Sequence, residues 1–426
     1  MMERYSEYKD SGVKWLGEIP SHWEVMPLKS FIKFEKGKTP KEFSNENIGL
    51  PYLTMDYLRS RDNKIVKYPT ASIGLFKIEE SEALVLWDGA NAGEFILSKK
   101  GYLGSTMAKI SGYKEYFNNL YFYYFLKMLE PTSKDFANGT TIPHFDASIL
   151  INYHYPIPPI DEQIVIGSYL DAATSKIDKA IAMQQKMIDL LNERKQIIIQ
   201  NAVTKGLDEN VEMKDSGVEW IGMIPKHWEI SKLKYLIDEP LKYGANEASD
   251  LIDYSCPRYI RITDIDTNGK LKEETYRSLP MNKAEPYLLK KGDLLFARSG
   301  ATVGKAFLFE EDYAACYAGY LIKTHMDLQK VLPKFVYLYT QTFAYQRWKE
   351  SIFIQATIQN ISGERYANMQ IPMPTLEEQN KIIDMLTPKM QRFDSAITNC
   401  QRQITLLQER KQIIINELVT GKVKVS

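Results

Sequence analysis

Apolar side chains recur every three or four residues in two long segments of the chain. The first stripe consists of Ile177, Ile181, Gln184, Ile188, Leu191, Lys195, Ile198 and Ala202. The second, with the same spacing, consists of Phe393, Ile397, Cys400, Ile404, Leu407, Lys411, Ile414 and Leu418. The positions between them are rich in Gln, Glu, Lys and Asp. This pattern predicts two amphipathic helices that bury their stripes against each other, most economically as an antiparallel coiled coil.

The ends of both segments carry helix start and stop signals. Prolines and then the acidic pairs Asp161–Glu162 and Glu377–Glu378 precede the stripes, where a helix N-terminus favours negative charge. Gly206 and Gly421 follow the stripes and suit helix ends. We therefore expect spacer helices within 159–206 and 375–426. A helix of about 42 residues is roughly 60 Å long.

The segments before each helix carry shorter, β-type runs. Tyr, Ile, Val and Phe are concentrated at 51–55, 83–87, 258–262 and 293–297, between turn-forming Gly, Asn and Asp. Aromatic segments with helical character follow at 119–129 and 334–343. The pattern predicts α/β (α+β) domains at 1–158 and 207–374, each with an irregular, mostly antiparallel sheet.

The chain is an internal duplication. Residues 9–24 (KDSGVKWLGEIPSHWE) and 214–229 (KDSGVEWIGMIPKHWE), here called the docking blocks, agree at 12 of 16 positions, and ERKQIII at 193–199 recurs at 409–415. Such a repeat predicts a pseudo-two-fold architecture. We expect the docking blocks to pack the first strand of each domain onto the helix pair. Their tryptophans are then packing anchors rather than base-stacking groups: Trp15, Trp23, Trp220 and Trp228.

Between the duplicated blocks, 26–156 and 231–371 share only isolated positions. Gly37 lies opposite Gly244, and the glycines of GANAG at 89–93 lie opposite those of GATVG at 300–304. These turns resemble phosphate-binding loops only loosely, and a tight turn after a strand is the simpler interpretation. A shared frame with divergent content is typical of a protein that reads two different targets.

Composition and charge restrict the class of protein. Lys plus Arg equal Asp plus Glu at 54 each, and the segments 26–156 and 231–371 carry 16 against 14 and 19 against 17 basic and acidic residues. A nucleic-acid ligand would therefore require basic residues gathered on one face. The polar start and the lack of an apolar run of about 18 residues predict a cytosolic protein. Cys256, Cys316 and Cys400 lack the spacing of a metal site or a disulfide framework.

The duplicated motifs resemble a known family. The paired SGVxWxGxIPxHWE blocks, the PPIDEQ and PTLEEQ starts of the long helices and the ERKQIII segments are similar to those of the specificity subunit of type I restriction-modification systems, over essentially the whole chain. The resemblance implies two target recognition domains that each read half of a bipartite, asymmetric double-stranded DNA sequence, with the helices as a ruler for the spacer. It also implies two modification subunits that methylate adenine with S-adenosylmethionine, and two restriction subunits that use ATP and Mg²⁺.

The sequence contains no convincing catalytic or metal-binding constellation. It lacks a GxxxxGK[ST] loop, an Asn/Asp-Pro-Pro-Tyr element and a clear nuclease cluster. His22 and His227 recur inside the docking blocks, which favours packing or a hydrogen bond over acid–base chemistry. We therefore expect no catalysis by this chain and no cofactor bound to it. A coiled-coil adaptor that contacts no nucleic acid, and an enzyme with an undetected motif, are the alternatives.

Candidate DNA contacts are the loop positions where basic, amide and hydroxyl side chains cluster, because phosphates attract cations and base edges require paired donors and acceptors. In the first domain they are Lys36, Lys38, Thr39, Arg59, Arg61, Lys64, Thr140 and Thr141. In the second they are Arg258, Arg261, Arg298, Ser299, Gln355, Thr357 and Gln359.

Overall fold

The computed structural model describes residues 2–30, 32–44, 46–60, 66–113, 116–136, 143–152, 154–248, 250–266, 269–300, 302–353 and 359–425. The chain forms two compact units: unit 1 comprises 1–184 and 402–426, and unit 2 comprises 185–401. The two long helices, Ile160–Lys205 and Leu376–Val419, each contribute residues to both units. The four-part division predicted from the sequence describes the chain differently and stays a prediction.

Unit 1 is built on a four-stranded antiparallel sheet. Its strands in spatial order are Phe95–Leu97, Ala83–Leu86, Met107–Gly112 and Ile32–Lys36. A second sheet has three strands in the order Tyr52–Leu53, Gly101–Leu103 and Lys77–Ile78. The first two of these strands are parallel, and the last two are antiparallel. The paired strands outside these sheets are Met2–Glu3 with Lys424–Val425, Tyr8–Asp10 with Glu18–Pro20, Glu24–Pro27 with His154–Ile157, and Phe43–Ser44 with Tyr68–Pro69. The shorter helices are Met55–Arg59, Asn119–Asp135 and Ala147–Ile151.

Unit 2 repeats this plan. Its four-stranded antiparallel sheet has the order Lys242–Tyr243, Leu321–Thr324, Leu294–Ala297 and Ala306–Leu308. The parallel pair is Arg258–Ile260 with Ala315–Tyr317, and the antiparallel pairs are Met213–Asp215 with Met223–Pro225 and Glu229–Lys232 with Gln370–Met373. The helices are Met281–Ala284, Pro333–Tyr339, Phe343–Phe353 and Gly363–Ala367. The predicted fold class and the internal repeat are confirmed.

Two sequence predictions differ in detail from the structure. Residues 51–55 form only the two-residue strand Tyr52–Leu53, because Thr54 caps the helix that begins at Met55 and accepts a hydrogen bond from the Tyr57 amide. The segment 334–343 is divided between two helices. Thr342 Oγ1 accepts the Tyr345 amide at 3.1 Å and so begins the second one.

The apolar stripes of the long helices lie on sheltered faces of those helices. Every stripe residue is buried or half-buried, and Ile177, Ile188, Ala202, Ile397 and Leu418 are fully buried. Part of this burial is against the domains, since Ala202 and Leu418 belong to the domain cores. The stripe pattern therefore predicted the helix faces correctly.

Lysines in the stripes form ion pairs between the two helices. In unit 1, Lys411 Nζ lies 2.7 Å from both carboxylate oxygens of Asp178, and in unit 2 Lys195 Nζ lies 2.6 Å from Asp394 Oδ1. The step from Asp178 forward to Lys195 equals the step from Lys411 back to Asp394. Antiparallel helices require this relation, so the two ion pairs share one register.

Each docking block is attached to the first turn of a long helix through one carboxylate. Glu162 accepts a hydrogen bond from the Trp23 indole at 2.8 Å and contacts His22 Nε2 at 2.5 Å. In unit 2, the carboxylate of Glu378 does the same for Trp228 at 3.1 Å and His227 at 2.8 Å. The histidines thus make the structural hydrogen bonds that the sequence predicted.

The tryptophans of the blocks take two different environments. Trp23 and Trp228 are fully buried in the cores, as predicted for anchors. Trp220 packs partly buried against the unit 2 core, whereas Trp15 remains half exposed with its ring 5.6 Å from that of Tyr155.

A buried glutamine follows each of these glutamates and fixes the long helix to the domain. The side-chain amide of Gln163 accepts from the Asn118 amide at 2.8 Å and donates to the carbonyls of Tyr116 and Pro158. Gln379 repeats this network, accepting from the Leu332 amide at 2.8 Å. Asn118 and Leu332 are N-cap residues of the aromatic helices Asn119–Asp135 and Pro333–Tyr339. The Glu-Gln dipeptide therefore positions the domain by its docking block and its aromatic helix together.

Within the described part of the chain, no helix is both long and apolar enough to cross a membrane.

Candidate nucleic-acid interface

Three of the predicted contact residues, Lys36, Arg298 and Ser299, lie where strands of the four-stranded sheets end. In unit 1 the strand Ile32–Lys36 runs into Gly37, whose amide donates to the Met107 carbonyl at 3.0 Å. A Cβ at Gly37 would lie 2.2 Å from the Gly104 carbonyl oxygen, so only glycine fits. The strand Ala83–Leu86 lies on the other side of Met107–Gly112 in the same sheet and leads into Trp87. The Trp87 carbonyl accepts from the Phe145 amide at 2.8 Å.

The same backbone frame occurs in unit 2. The Gly244 amide donates to the Leu321 carbonyl at 3.3 Å, and a Cβ there would lie 2.4 Å from the Ala318 carbonyl oxygen. The Arg298 carbonyl accepts from the Ile361 amide at 2.8 Å, as that of Trp87 does from Phe145. The isolated bridges Asp88–His144 and Ser299–Asn360 also correspond.

Four side-chain positions stand on this frame in each unit, and we call them the strand-end cluster. In unit 1 they are Lys36, Trp87, Asp88 and His144, and in unit 2 they are Tyr243, Arg298, Ser299 and Asn360. No position carries the same residue type in both units. The two units therefore have the same backbone arrangement at the strand-end cluster but different side chains on it.

In unit 1 the charged side chains of the strand-end cluster pair with one another. Lys36 Nζ lies 3.1 Å from one oxygen of Asp88 and 5.5 Å from the ring centre of Trp87. His144 Nδ1 lies 2.7 Å from the other oxygen of Asp88. Burial alone would raise the pKa of Asp88, but the hydrogen bonds from His144 and Lys36 lower it below its usual value. The carboxylate is thus held in its charged form.

In unit 2 the cation and the aromatic ring exchange places. Arg298 lies over the ring of Tyr243, with its guanidinium carbon 4.9 Å from the ring centre. Tyr243 corresponds to Lys36 and Arg298 to Trp87, so both units build a cation–π pair from the same two positions with the roles reversed. Arg298 Nε and Asn360 Oδ1 are buried without a hydrogen-bond partner among the described residues.

The remaining predicted residues of unit 1 are mostly on the surface. Lys38 is exposed, and Thr39 is exposed with its hydroxyl 2.9 Å from that of Ser105. Arg59 ends a short helix and pairs with Glu94 at 2.6 Å. The predicted residues that lie outside the described part of the chain are Arg61, Lys64, Thr140, Thr141, Gln355 and Thr357.

The predicted arginines of unit 2 differ in their surroundings. The side chain of Arg258 is only 4% exposed, and its guanidinium donates to Glu273 and to the Lys272 carbonyl at 2.7 Å each. These contacts favour an internal role. Arg261 is partly exposed and makes a two-pronged ion pair with Asp264.

Ser299 belongs to the strand-end cluster, and Gln359 is exposed beside Asn360. The DNA contacts of all these residues stay predictions.

Clusters of basic, amide and hydroxyl side chains in the sequence identify Lys36, Arg298 and Ser299 but miss five of the eight positions of the strand-end cluster. The missed residues are Trp87, Asp88, His144, Tyr243 and Asn360. The aromatic and acidic side chains among them do not fit that pattern. The aligned glycines did contain a signal, since Gly89 opposite Gly300 places Trp87 opposite Arg298. Tyr243 likewise precedes Gly244 as Lys36 precedes Gly37.

No group of three or more potential metal ligands occurs among the described residues. Some titratable groups outside the strand-end cluster are paired inside the domains. An example is buried Asp293, which lies 2.6 Å from His325 Nδ1 and 3.7 Å from Lys323 Nζ.

Comparisons with known proteins agree on one family. The family described as type I restriction modification DNA specificity domain matches residues 20–187 and 225–408. The MjaVIII specificity subunit of a type I restriction enzyme from Methanocaldococcus jannaschii is 31% identical over 98% of this chain and 97% of its own. The EcoBI specificity subunit from Escherichia coli is 22% identical over 98% of this chain and 89% of its own.

A solved chain from a type I R-M system has a similar fold. It superposes with a TM-score of 0.62 over 94% of this chain and 98% of that chain, at 15% identity. The likeness at this level of identity concerns the fold.

Proposed function

Because the chain belongs to the family of type I restriction-modification DNA specificity subunits, we propose that it reads a bipartite DNA target, one half with each domain. The domain within 1–158 reads one half-site and the domain within 207–374 reads the other. The long helices fix the length of the unread spacer between the half-sites. We also propose that the chain acts in the cytosol.

The observation that carries this proposal is the repeated frame with divergent side chains. Both units use the same strand order, the same glycine contact and the same backbone hydrogen bonds at their strand ends. The strand-end cluster on that frame nevertheless differs at all four positions. A protein that bound two copies of one ligand would keep these side chains alike, whereas a reader of an asymmetric target requires them to differ.

We further propose that the long helices recruit the modification and restriction subunits. Besides its buried stripe, each helix carries exposed apolar side chains at equivalent positions, Leu190 and Ile197 on the first and Leu406 and Ile413 on the second. Exposed leucine and isoleucine at a seven-residue spacing suit contact with a helix of a partner. Two equivalent sites fit two copies of one subunit.

In this proposal the chain itself performs no catalysis. Its relatives are named specificity subunits, and we assign methylation with S-adenosylmethionine to the modification subunits and the use of ATP and Mg²⁺ to the restriction subunits. The specificity subunit then contributes selection of the site and positioning of its partners.

Selection from a random duplex DNA library tests the proposal. The purified full-length chain is incubated with the library at fixed salt, because DNA affinity depends strongly on salt, and the bound duplexes are sequenced. We expect two short conserved half-sites separated by a spacer of constant length. Enrichment of no sequence would support a coiled-coil adaptor instead. DNA methylation or cleavage by the chain without other subunits would reveal an enzyme.

A further inference from the structure

The strand-end cluster of unit 2 contains two buried polar atoms that nothing in the described chain satisfies. Arg298 Nε and Asn360 Oδ1 are inaccessible to solvent and lack hydrogen-bond partners. Leaving a buried polar atom unpaired is costly, so native proteins rarely retain such groups without a reason. These two atoms belong to neighbouring segments, because the Ser299–Asn360 bridge and the hydrogen bond from Ile361 to Arg298 join their backbones.

Tyr243 holds the guanidinium of Arg298 from one face. The 4.9 Å cation–π contact fixes its plane without using its N–H groups. An arginine supported in this way keeps its fork of donors for a ligand. Arg298 makes no ion pair among the described residues, unlike Arg258 and Arg261, whose guanidinium groups bind Glu273 and Asp264.

Resting on the proposed function, we propose that Arg298 determines one base of the half-site read by unit 2, and that this base is guanine. Guanine presents two acceptors, O6 and N7, in the major groove, and the planar arginine fork matches them with two parallel hydrogen bonds. Tyr243 acts as a positioning residue that sets the plane of the fork.

The corresponding positions of unit 1 present a different pattern to DNA. Trp87 replaces Arg298 and offers no donor fork, and the carboxylate of Asp88 is held between Lys36 and His144. The guanine contact is therefore specific to unit 2. This difference also explains how one backbone frame supports two dissimilar half-sites.

Selection from the same random library, with wild-type chain and two variants, tests the inference. Arg298→Gln removes the fork and the charge, and Arg347→Gln is the matched control because Arg347 is an exposed arginine of the same unit. We expect wild type to select guanine at one position of one half-site. Arg298→Gln should reduce that preference by about 5- to 150-fold, as for loss of one bidentate contact. The other positions should stay as in wild type, and the control should change nothing.

Three outcomes of this experiment would overturn the inference: an unchanged preference in Arg298→Gln, an equal loss at every position, or a target without guanine in either half. If the wild-type chain enriches no sequence at all, the proposed function itself fails, and that result is distinct from the other three. Thermal unfolding of each variant separates loss of the contact from loss of the fold, because Arg298→Gln should have the same melting temperature as the wild type.

Discussion

The indole of Trp23 donates a hydrogen bond to Glu162 over 2.8 Å, although the two residues are 139 positions apart in the chain. Trp228 and Glu378 form the equivalent contact 150 positions apart. Both indoles are buried, so the carboxylates are their means of satisfying a donor that has left water. A single glutamate thus connects each docking block to the start of a long helix.

Substituting these glutamates should loosen the docking blocks. Glu162→Ala should destabilise the local structure of residues 18–27 by about 1–3 kcal/mol, because it leaves a buried indole N–H unpaired. Hydrogen exchange of the backbone amides in that segment measures the effect. Asp161→Ala is the matched control, since Asp161 is the exposed neighbour. Equal protection in both variants would show that the carboxylate is dispensable.

The Glu378 contact should make unit 2 sensitive to acid. Burial alone would raise the pKa of Glu378, but hydrogen bonds from His227, Trp228 and Thr375 lower it to about 2. A carboxyl group whose pKa falls on folding stabilises the fold above its unfolded pKa of about 4.3. That contribution is lost as the pH falls toward 2.

The comparison of wild type with Glu378→Gln checks this expectation. The difference in amide protection of residues 213–230 between the two proteins should be largest near pH 7 and should narrow steadily from about pH 5 downward. A difference that stays constant or widens in acid would mean that another group controls the acid response.

Arg258 should support the fold of unit 2 without affecting DNA selection. Arg258→Met removes the hydrogen bonds to Glu273 and the Lys272 carbonyl and the cation–π contact with Tyr276, 5.2 Å away. We expect a loss of about 1–3 kcal/mol in stability and an unchanged base preference in the random-library selection. A changed preference at one position would instead identify Arg258 as a DNA contact.

Exchange of one variable segment should change one half-site. Residues 26–156 are replaced by the corresponding segment of the M. jannaschii relative, and the selected sequences are compared with those of wild type. Because the strand-end cluster of unit 2 is untouched, its half-site should persist while the other changes. Alteration of both half-sites would contradict independent reading.

Lengthening both long helices should lengthen the spacer. In this variant one heptad is inserted after Gln184 and another after Cys400. The insertions lie between the two ion pairs on both helices, so Asp178–Lys411 and Lys195–Asp394 both stay intact. Seven residues add about 10 Å of helix, the length of about three base pairs.

A single insertion provides the control for this experiment. It shifts one helix against the other and breaks the register shared by the two ion pairs, so it should lower stability. If the double insertion leaves the selected spacer at its original length, the helices do not set that length.

The sequence predicted the repeated frame well because periodic burial and duplication are visible in it. The stripes that include Ile177 and Ile397 identified the buried faces of the two helices. Gly206 directly follows the first helix and Gly421 lies two residues past the end of the second, both with left-handed backbone. The long-range contacts needed the structure. Nothing in the sequence pairs Glu162 with Trp23, because hydrogen bonds between distant segments leave no periodic trace.

The strand-end cluster was predicted only in part for a related physical reason. Arg298 and Lys36 were selected by their charge, but the environment that distinguishes Arg298 from Arg258 is tertiary. One guanidinium stacks on Tyr243, whereas the other is bound by Glu273. Residue type alone therefore gave both arginines equal weight.

The close approach at Gly37 and Gly244 has a practical consequence for altering what this chain recognises. A methyl group at either glycine would collide with a backbone carbonyl, so mutant libraries that vary these positions would consist largely of misfolded members. Randomising the codons for 36, 87, 88 and 144, or for 243, 298, 299 and 360, keeps the supporting backbone unchanged. New recognition variants are then best sought by holding the glycines constant and diversifying only the side chains that surround them.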